Sequence, residues 1–366
     1  MTEKTKNIVV TCVMAVFLFG LSMGAWGKEV DDFSDSERRK LNLFPEVSKE
    51  KVISGEFMTE FEDYTLDQFP FRNSFRKLNS NLSFSLFGHK DYHDIYVVDG
   101  YISKMEYPMK EESLHRAAER FGYIYEKYMK DTNTKAYFSI IPDKNYFLAE
   151  KNGYLSMDYE ELFQVMKEKT KFMEYIDITK LLTIEDYYKT DTHWRQEKLI
   201  DVAGEIGRKM GVKINGEYEV KTLEQPFYGV YYGQLALSLP AEKINYLTNK
   251  TLEKCKVYDF ENERNIAIYN MEKAYGKDSY EMFLSGSLAL VTIENPYVSG
   301  NKELILFRDS FGSSIAPLFI EGYKKITLID IRYLSPEHLE RYVKFEHQDV
   351  LFLYSTLVLN HGETMK

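Results

Sequence analysis

Three runs near the C-terminal end most constrain the fold: Leu304 to Phe307, Lys325 to Ile331 and Asp349 to Tyr354. The first and third are apolar along almost their whole length, and the second at four of its seven residues. A strand with one face in water alternates apolar and polar residues, whereas a strand without alternation is covered on both faces. Helical segments separate the runs, at Ser313 to Glu321, which carries Pro317, and at Pro336 to Phe345. Parallel neighbours need a long crossover, so apolar strands alternating with helices predict a mostly parallel sheet flanked by helices. The same rhythm occurs earlier. An amphipathic helix spans Glu111 to Lys130, with Leu114, Ala118, Phe121, Ile124, Tyr125 and Tyr128 on one side. A strand follows at Lys135 to Ile141, then a helix at Tyr159 to Phe172 and a strand at Met173 to Ile178. A further helix places Leu199, Ala203, Ile206 and Met210 on one face and closes at Gly211. The expected fold class is α/β.

Two stretches depart from this rhythm. Tyr96 to Ile102 reads as a hairpin turning at Asp99-Gly100. From Val212 to about Gly300, glycines, tyrosines and short alternating runs such as Cys255-Lys256-Val257-Tyr258 predict an inserted β-rich region. It has no chemical motif, and serves either as a lid or specificity surface or as packing.

At the N-terminus Lys4 and Lys6 precede an apolar run from Ile8 to Phe19 that continues in small residues to Trp26. Residues 1–27 therefore form a signal peptide or a membrane anchor, with the lysines inside and the body exported. Residues 28–54 are polar and charged and read as a tether, leaving 55–366 as the main domain. Arg72 and Arg76 are expected to pair with Glu60, Glu62 and Asp63. Of the two cysteines, Cys12 lies in the apolar segment, so Cys255 is alone in the body. That count leaves no disulfide for the folded part and no cysteine zinc site. A net charge of −10 argues against a nucleic-acid partner. The 29 tyrosines and 24 phenylalanines suit both core packing and contact with sugars.

Asp191, His193 and Ser310 carry the chemistry. Ser310 sits where an apolar strand runs into a tight turn before a helix. There the backbone N–H groups at a helix start can hold an oxyanion. A serine needs a base to take its proton, and the base works best when an acid fixes its tautomer. His193 is the candidate base, and Asp191, two residues before it, the candidate acid. Gly312 is expected to clear space for a substrate. Plainer roles compete: Asp191, Thr192 or Ser310 as helix caps, His193 as a structural histidine, and Asp309 in place of Asp191 as the acid. A metal site built on Asp191 and His193 with His89 or His93 is the other chemical alternative. Lys144 and Arg332, at strand ends facing one edge, are candidate substrate contacts, with surface ion pairing as the alternative.

The segment Tyr188-Lys189-Thr190-Asp191-Thr192-His193-Trp194 resembles the signature of the bacterial DHHW family. It is also similar to that of the SGNH-hydrolase-like alginate O-acetylation proteins of the AlgJ and AlgX type. Arg308-Asp309-Ser310-Phe311-Gly312 looks like their nucleophile block. Asp67 to Arg72, Asp99-Gly100-Tyr101 and Ile141-Pro142-Asp143-Lys144 fit the upstream pattern, so the resemblance spans roughly 37 to 360. Thr192 stands where the family motif Asp-His-His-Trp has its first histidine, and Arg308 where a common SGNH block has glycine.

The resemblance implies an SGNH-hydrolase-like domain in which the Asp-x-His block precedes the serine block. It makes Ser310 the nucleophile, His193 the base and Asp191 the orienting acid, with no cofactor and no metal. The implied function is an extracytoplasmic O-acetyltransferase or acetylesterase acting on a cell-surface or exported polysaccharide through an acetyl-serine intermediate. A membrane-bound O-acyltransferase is the implied acetyl supplier. The alternative is a non-catalytic exported factor that binds or assembles such a polymer.

Overall fold

The computed structural model describes residues 2–34, 36–86, 89–214, 216–237, 239–298 and 300–366. They fall into two units, Met1–His93 with Tyr232–Leu239, and Asp94–Tyr231 with Pro240–Lys366.

The first unit begins with the helix Glu3–Gly27, capped by Thr2, whose hydroxyl oxygen accepts the Thr5 N–H. None of its residues is buried, and its length and composition suit a membrane span. The helices Lys49–Ser54, Glu56–Asp67 and Arg72–Asn81 follow. Their organising group is the buried Asp67 carboxylate. It accepts from Arg39 Nη1 at 2.9 Å, from the Asn42 N–H at 2.9 Å and from Asn42 Nδ2 at 3.0 Å. Burial pushes this carboxyl up, but the Arg39 hydrogen bond and the Asn42 N–H outweigh it and hold it down at about 2. Arg72 and Arg76 pair with Glu37, and Arg72 also reaches Asp67 at 3.3 Å. This corrects the expected pairing with Glu60, Glu62 and Asp63. Glu62 and Asp63 lie on the exposed face of their helix, and Glu60 is taken by Lys51 at 2.6 Å. Arg76 Nη2 also donates to the carbonyls of Gly233 and Gln234, which attaches the returning segment to this unit.

The second unit is built on an eight-stranded sheet. Its strands in chain order are β1 (Lys135–Ile141), β2 (Glu174–Tyr175), β3 (Lys256–Asp259), β4 (Arg264–Ile266), β5 (Leu290–Glu294), β6 (Glu303–Arg308), β7 (Lys325–Ile329) and β8 (Asp349–Ser355). Their spatial order is β4-β3-β5-β7-β6-β8-β1-β2. The five strands from β7 to β2 are parallel, and β5, β3 and β4 extend them antiparallel. Successive strand residues point to opposite faces. Leu304 and Leu306 of β6 therefore join Leu351, Leu353 and Tyr137 in one core, while Ile305 and Phe307 join Phe352, Tyr354 and Phe138 in the other. The helices Ile200–Lys209 and Ser310–Phe319 cover the first face through Val202, Ile206, Ile315 and Leu318. The helices Glu111–Ile124 and Tyr159–Lys169 cover the second through Leu114, Phe121, Leu162 and Met166.

Several elements are shorter than their sequence pattern. Glu111–Ile124 gives way to a π-helical turn at Tyr125–Met129, Pro336–Arg341 is a 3-10 helix, and only Glu174–Tyr175 pairs in its run. The hairpin Ile95–Val98 and Tyr101–Lys104 turns at Asp99 and Gly100, both at positive φ, as a two-residue type I′ turn requires. The stretch 212–300 holds five strands among its described residues. Glu219–Thr222 and Asn245–Thr248 pair with each other, while β3, β4 and β5 belong to the central sheet. Much of its β structure is therefore the sheet edge, because Val257, Val291 and Ile293 pack into the core.

The parallel half carries one buried charge pair. Arg308, at the end of β6, has no exposed surface. Its Nη1 lies 3.4 Å from Asp330 Oδ2, and its Nη2 donates to the Leu288 carbonyl at 3.1 Å. Removing one partner of such a pair strands the other charge, at a cost of about 3–5 kcal/mol. Asp330→Ala is therefore expected to lower unfolding stability by about that amount, measured by urea denaturation against the wild-type chain.

Candidate active site

Asp309 and Ser310 follow β6 directly. Asp309 Oδ1 accepts the Phe311 N–H at 3.0 Å and so caps the helix that Ser310 opens. Its Oδ2 accepts the Ser355 N–H at 2.8 Å, at the end of β8. Both oxygens are used by backbone donors. The Ser310 N–H has no partner among the described residues.

Asp191 and His193 lie on the loop that follows β2. The helix after them starts only at Ile200, beyond the 3-10 turn Gln196–Lys198, so neither Asp191 nor Thr192 caps it. The fully buried Asp191 serves the loop itself. Its Oδ1 accepts from His193 Nδ1 at 2.6 Å and from the His193 N–H at 3.1 Å. Its Oδ2 accepts the Val230 N–H at 2.9 Å. His193 Nε2 stands 2.8 Å from Ser310 Oγ. A carboxylate accepts only, so the proton belongs on Nδ1, and Nε2 faces the serine hydroxyl with a lone pair. The structure thus brings Asp191, His193 and Ser310 into one hydrogen-bonded line.

The imidazole is held on its faces as well. Tyr280 stacks on it, with ring centroids 3.9 Å apart and planes 10° from parallel, and Phe311 packs at 4.9 Å. The Tyr280 hydroxyl donates to Ser314 Oγ at 2.8 Å, and Trp194 Nε1 donates to the same oxygen at 2.9 Å. Gln196 Nε2 donates to the Ser314 carbonyl at 2.7 Å. The residues after His193 are therefore fastened to the helix that carries Ser310. Ahead of Asp191, Glu242 accepts the N–H groups of Lys189 and Thr190, each at 2.7 Å. Tyr280 and Glu242 carried no local signal in the sequence, since each reaches the loop from a distant segment. Trp194 lay inside the recognised motif, and of its two partners Phe311 lay inside the recognised serine block while Ser314 did not.

The remaining candidates are not members of the hydrogen-bonded line. Lys144 is buried and donates to the carbonyls of Ile102, Tyr188 and Lys189, which turns its ammonium away from any substrate. Arg332 pairs with Asp330, Nη2 to Oδ2 at 2.6 Å and Nε to Oδ1 at 2.9 Å. Burial pulls this guanidinium down, but the Asp330 hydrogen bond and charge more than offset it and hold it up. Gly312 does not open a substrate path. A Cβ there would sit 2.5 Å from Arg308 Cβ, so the glycine lets the buried arginine pass beneath the helix. Among the described residues no group of three or more His, Cys, Asp or Glu side chains is placed to hold a metal ion. A surface cavity of about 880 Å³, lined by Lys110, Glu112, His115, Arg116 and Glu363 among others, includes none of the three site residues.

A mostly parallel α/β sheet with a hydrogen-bonded Ser-His-Asp line at the carboxyl ends of its strands defines the class of fold. Solved structures share this fold. A DHHW family protein from Eubacterium siraeum shares 20% identity at a TM-score of 0.61, covering 75% of this chain and 95% of that one. Bacillus cereus PatB1, in a structure with a sulfonyl adduct, shares 20% identity at 0.60, covering 72% and 95%. The O-acetyltransferase domain of Pseudomonas putida AlgJ is a more distant likeness, at 9% identity and 0.44, covering 73% and 92%. No protein-family model and no curated protein matches the chain.

The loop's approach to its support is tight at Gly229. A Cβ there would fall 2.3 Å from Asp191 Cα. Gly229→Ala is expected to destabilise the chain by about 1–3 kcal/mol through overpacking. Gly204→Ala, which meets nothing within 4 Å, is the control and should leave the denaturation midpoint unchanged or higher.

Proposed function

We propose that this chain is an extracytoplasmic O-acetyltransferase or acetylesterase acting on a cell-surface or exported polysaccharide. The observation that carries the proposal is the pair of hydrogen bonds from Asp191 to His193, 2.6 Å, and from His193 to Ser310, 2.8 Å. In this reading His193 Nε2 takes the Ser310 proton as Oγ attacks the acetyl carbonyl. The Asp191 carboxylate stabilises the imidazolium that forms. The unpartnered Ser310 N–H, at the start of the helix Ser310–Phe319, faces the developing oxyanion. His193 then returns the proton to the leaving oxygen as the tetrahedral intermediate collapses, leaving acetyl-Ser310. In the second half-reaction His193 deprotonates the acceptor hydroxyl, which attacks the acetyl carbonyl, and His193 returns that proton to Ser310 Oγ as the acetyl C–Oγ bond breaks. A sugar hydroxyl as acceptor makes the chain a transferase, and water makes it an esterase.

The polymer comes from the resemblance to the DHHW and AlgJ/AlgX type, supported by the fold shared with the DHHW protein and PatB1. The helix Glu3–Gly27 supports a tether in the cytoplasmic membrane, and the membrane-bound O-acyltransferase as acetyl supplier rests on the resemblance alone. The sulfonyl adduct of PatB1 motivates the same probe here.

The test is acetyl release from a chromogenic acetate ester together with labelling by a sulfonyl fluoride. Ser310→Ala is expected to abolish both the release and the mass tag, and Asp191→Asn to lower kcat on the order of 10⁴-fold by admitting the wrong tautomer. Equal rates in wild type and Ser310→Ala, with no tag at Ser310, would favour the non-catalytic polymer-binding reading.

A further inference from the structure

Lys144 opens the helix Lys144–Asn152 and is 2% exposed. A buried ammonium has three N–H donors and no water to receive them, so it needs three acceptors or it gives up its charge. Here the acceptors are three backbone carbonyls, those of Ile102, of Tyr188 at 3.0 Å and of Lys189 at 3.2 Å. Tyr188 and Lys189 lead directly into Asp191. Ile102 belongs to the hairpin strand Tyr101–Lys104, and its own N–H donates to the Lys189 carbonyl at 2.7 Å. The Tyr231 ring covers the ammonium, 5.0 Å from Nζ to its centroid. The ionisable groups that face Lys144 are the carboxyls of Asp191, Glu242 and Asp143, each from a different segment.

We propose that Lys144 is a positioning residue, whose ammonium staples the Tyr188 and Lys189 carbonyls to the Ile102 carbonyl and so fixes the direction in which Asp191 presents His193 to Ser310. This rests on the triad reading above and adds to it the group that holds the loop in register. The argument is one of valence. Three donors meet three acceptors, and all three acceptors lie on the loop or on the hairpin that supports it. A neutral amine keeps two donors and turns a lone pair toward the third carbonyl, which releases it.

Burial pushes Lys144 down to about 7, against the pull of Asp191, Glu242 and Asp143 in that order. The folded value lies below that of a free lysine, so the ammonium is complete below that pH and is lost as pH rises through it. The staple therefore loosens on the alkaline side.

The experiment uses the full chain in detergent micelles, as wild type, Lys144→Met and Ser310→Ala. It reads kcat and KM for an aryl acetate and the low-field NMR signal of the proton between His193 Nδ1 and Asp191. Lys144→Met keeps the side-chain length without donors. It should lower kcat by roughly 10²-fold with KM unchanged, as expected for a misplaced catalytic group, and should broaden or abolish the low-field signal. Unchanged kcat with the signal intact, or a rise in KM alone as for a substrate contact, would overturn the inference. Should Lys144→Met fail to fold, wild type alone decides the matter. The low-field signal must fade with the same pH midpoint as the ¹⁵N shift of Lys144 Nζ, and its persistence through that midpoint overturns the staple. Wild-type turnover in Ser310→Ala overturns the triad reading instead, and the low-field signal still reports on Lys144.

Discussion

The carboxyl ends of four adjacent parallel strands are joined by buried polar bonds, and the site depends on that ledge. Asp330, just past β7, meets Arg308 at the end of β6. Asp309, just past β6, accepts the N–H of Ser355 at the end of β8. Thr356, just past β8, donates to Asp143, just past β1, at 2.7 Å. Strand ends buried on both faces expose backbone and side-chain polar groups that water cannot reach, and each must find a partner. Here the partners lie on neighbouring strands. The same bonds that satisfy the strand ends therefore fix where the β6 turn, and Ser310 with it, projects.

Asp143 shows the energetic side of this arrangement. It is fully buried, and burial pushes its carboxyl up while the hydroxyls of Thr356 and Tyr159 and the Asn145 N–H pull it down. Those donors stand where solvent would otherwise be. The loop bearing Asp191 and His193 is fixed in the same manner but by different segments. Glu242 and Lys144 hold it ahead of Asp191, Val230 holds the carboxylate itself, and Trp194 and Gln196 hold the chain after His193. An imidazole free on such a loop would sample many orientations. Face-to-face packing on Tyr280 leaves it one plane.

Much of this was legible in the sequence, for identifiable reasons. The unbroken apolar runs Leu304 to Phe307 and Asp349 to Tyr354 announced strands buried on both faces, because the absence of alternation is a statement about solvent on both sides. Asp191 and His193 stood out because two residues is the reach of a carboxylate to its neighbour's ring. Element ends were less legible. The helix expected from Pro336 is a 3-10 turn, and the helix whose apolar spacing starts at Leu199 begins at Ile200, well past the caps expected at Asp191 or Thr192. Helix ends are set by local hydrogen bonds, whereas periodicity reports only on the buried face. The charged residues were read least well. Arg72, Arg76 and Lys144 turn inward to partners that sequence proximity does not identify, whereas Arg332 pairs with Asp330 two residues before it.

The sequence by itself determined a double-covered parallel sheet, an apolar N-terminal helix and the residue types able to form a nucleophile, a base and an acid. Those follow from local composition and from periods of two and 3.6 residues, which short windows contain. Only the tertiary structure decided that Asp191 faces His193 and not a helix end, that Gly312 makes room for Arg308 and not for substrate, and that Lys144 and Glu242 grip the loop. Each of these choices is a competition for hydrogen-bond partners among groups far apart in the chain. It is settled by which of them burial has cut off from water.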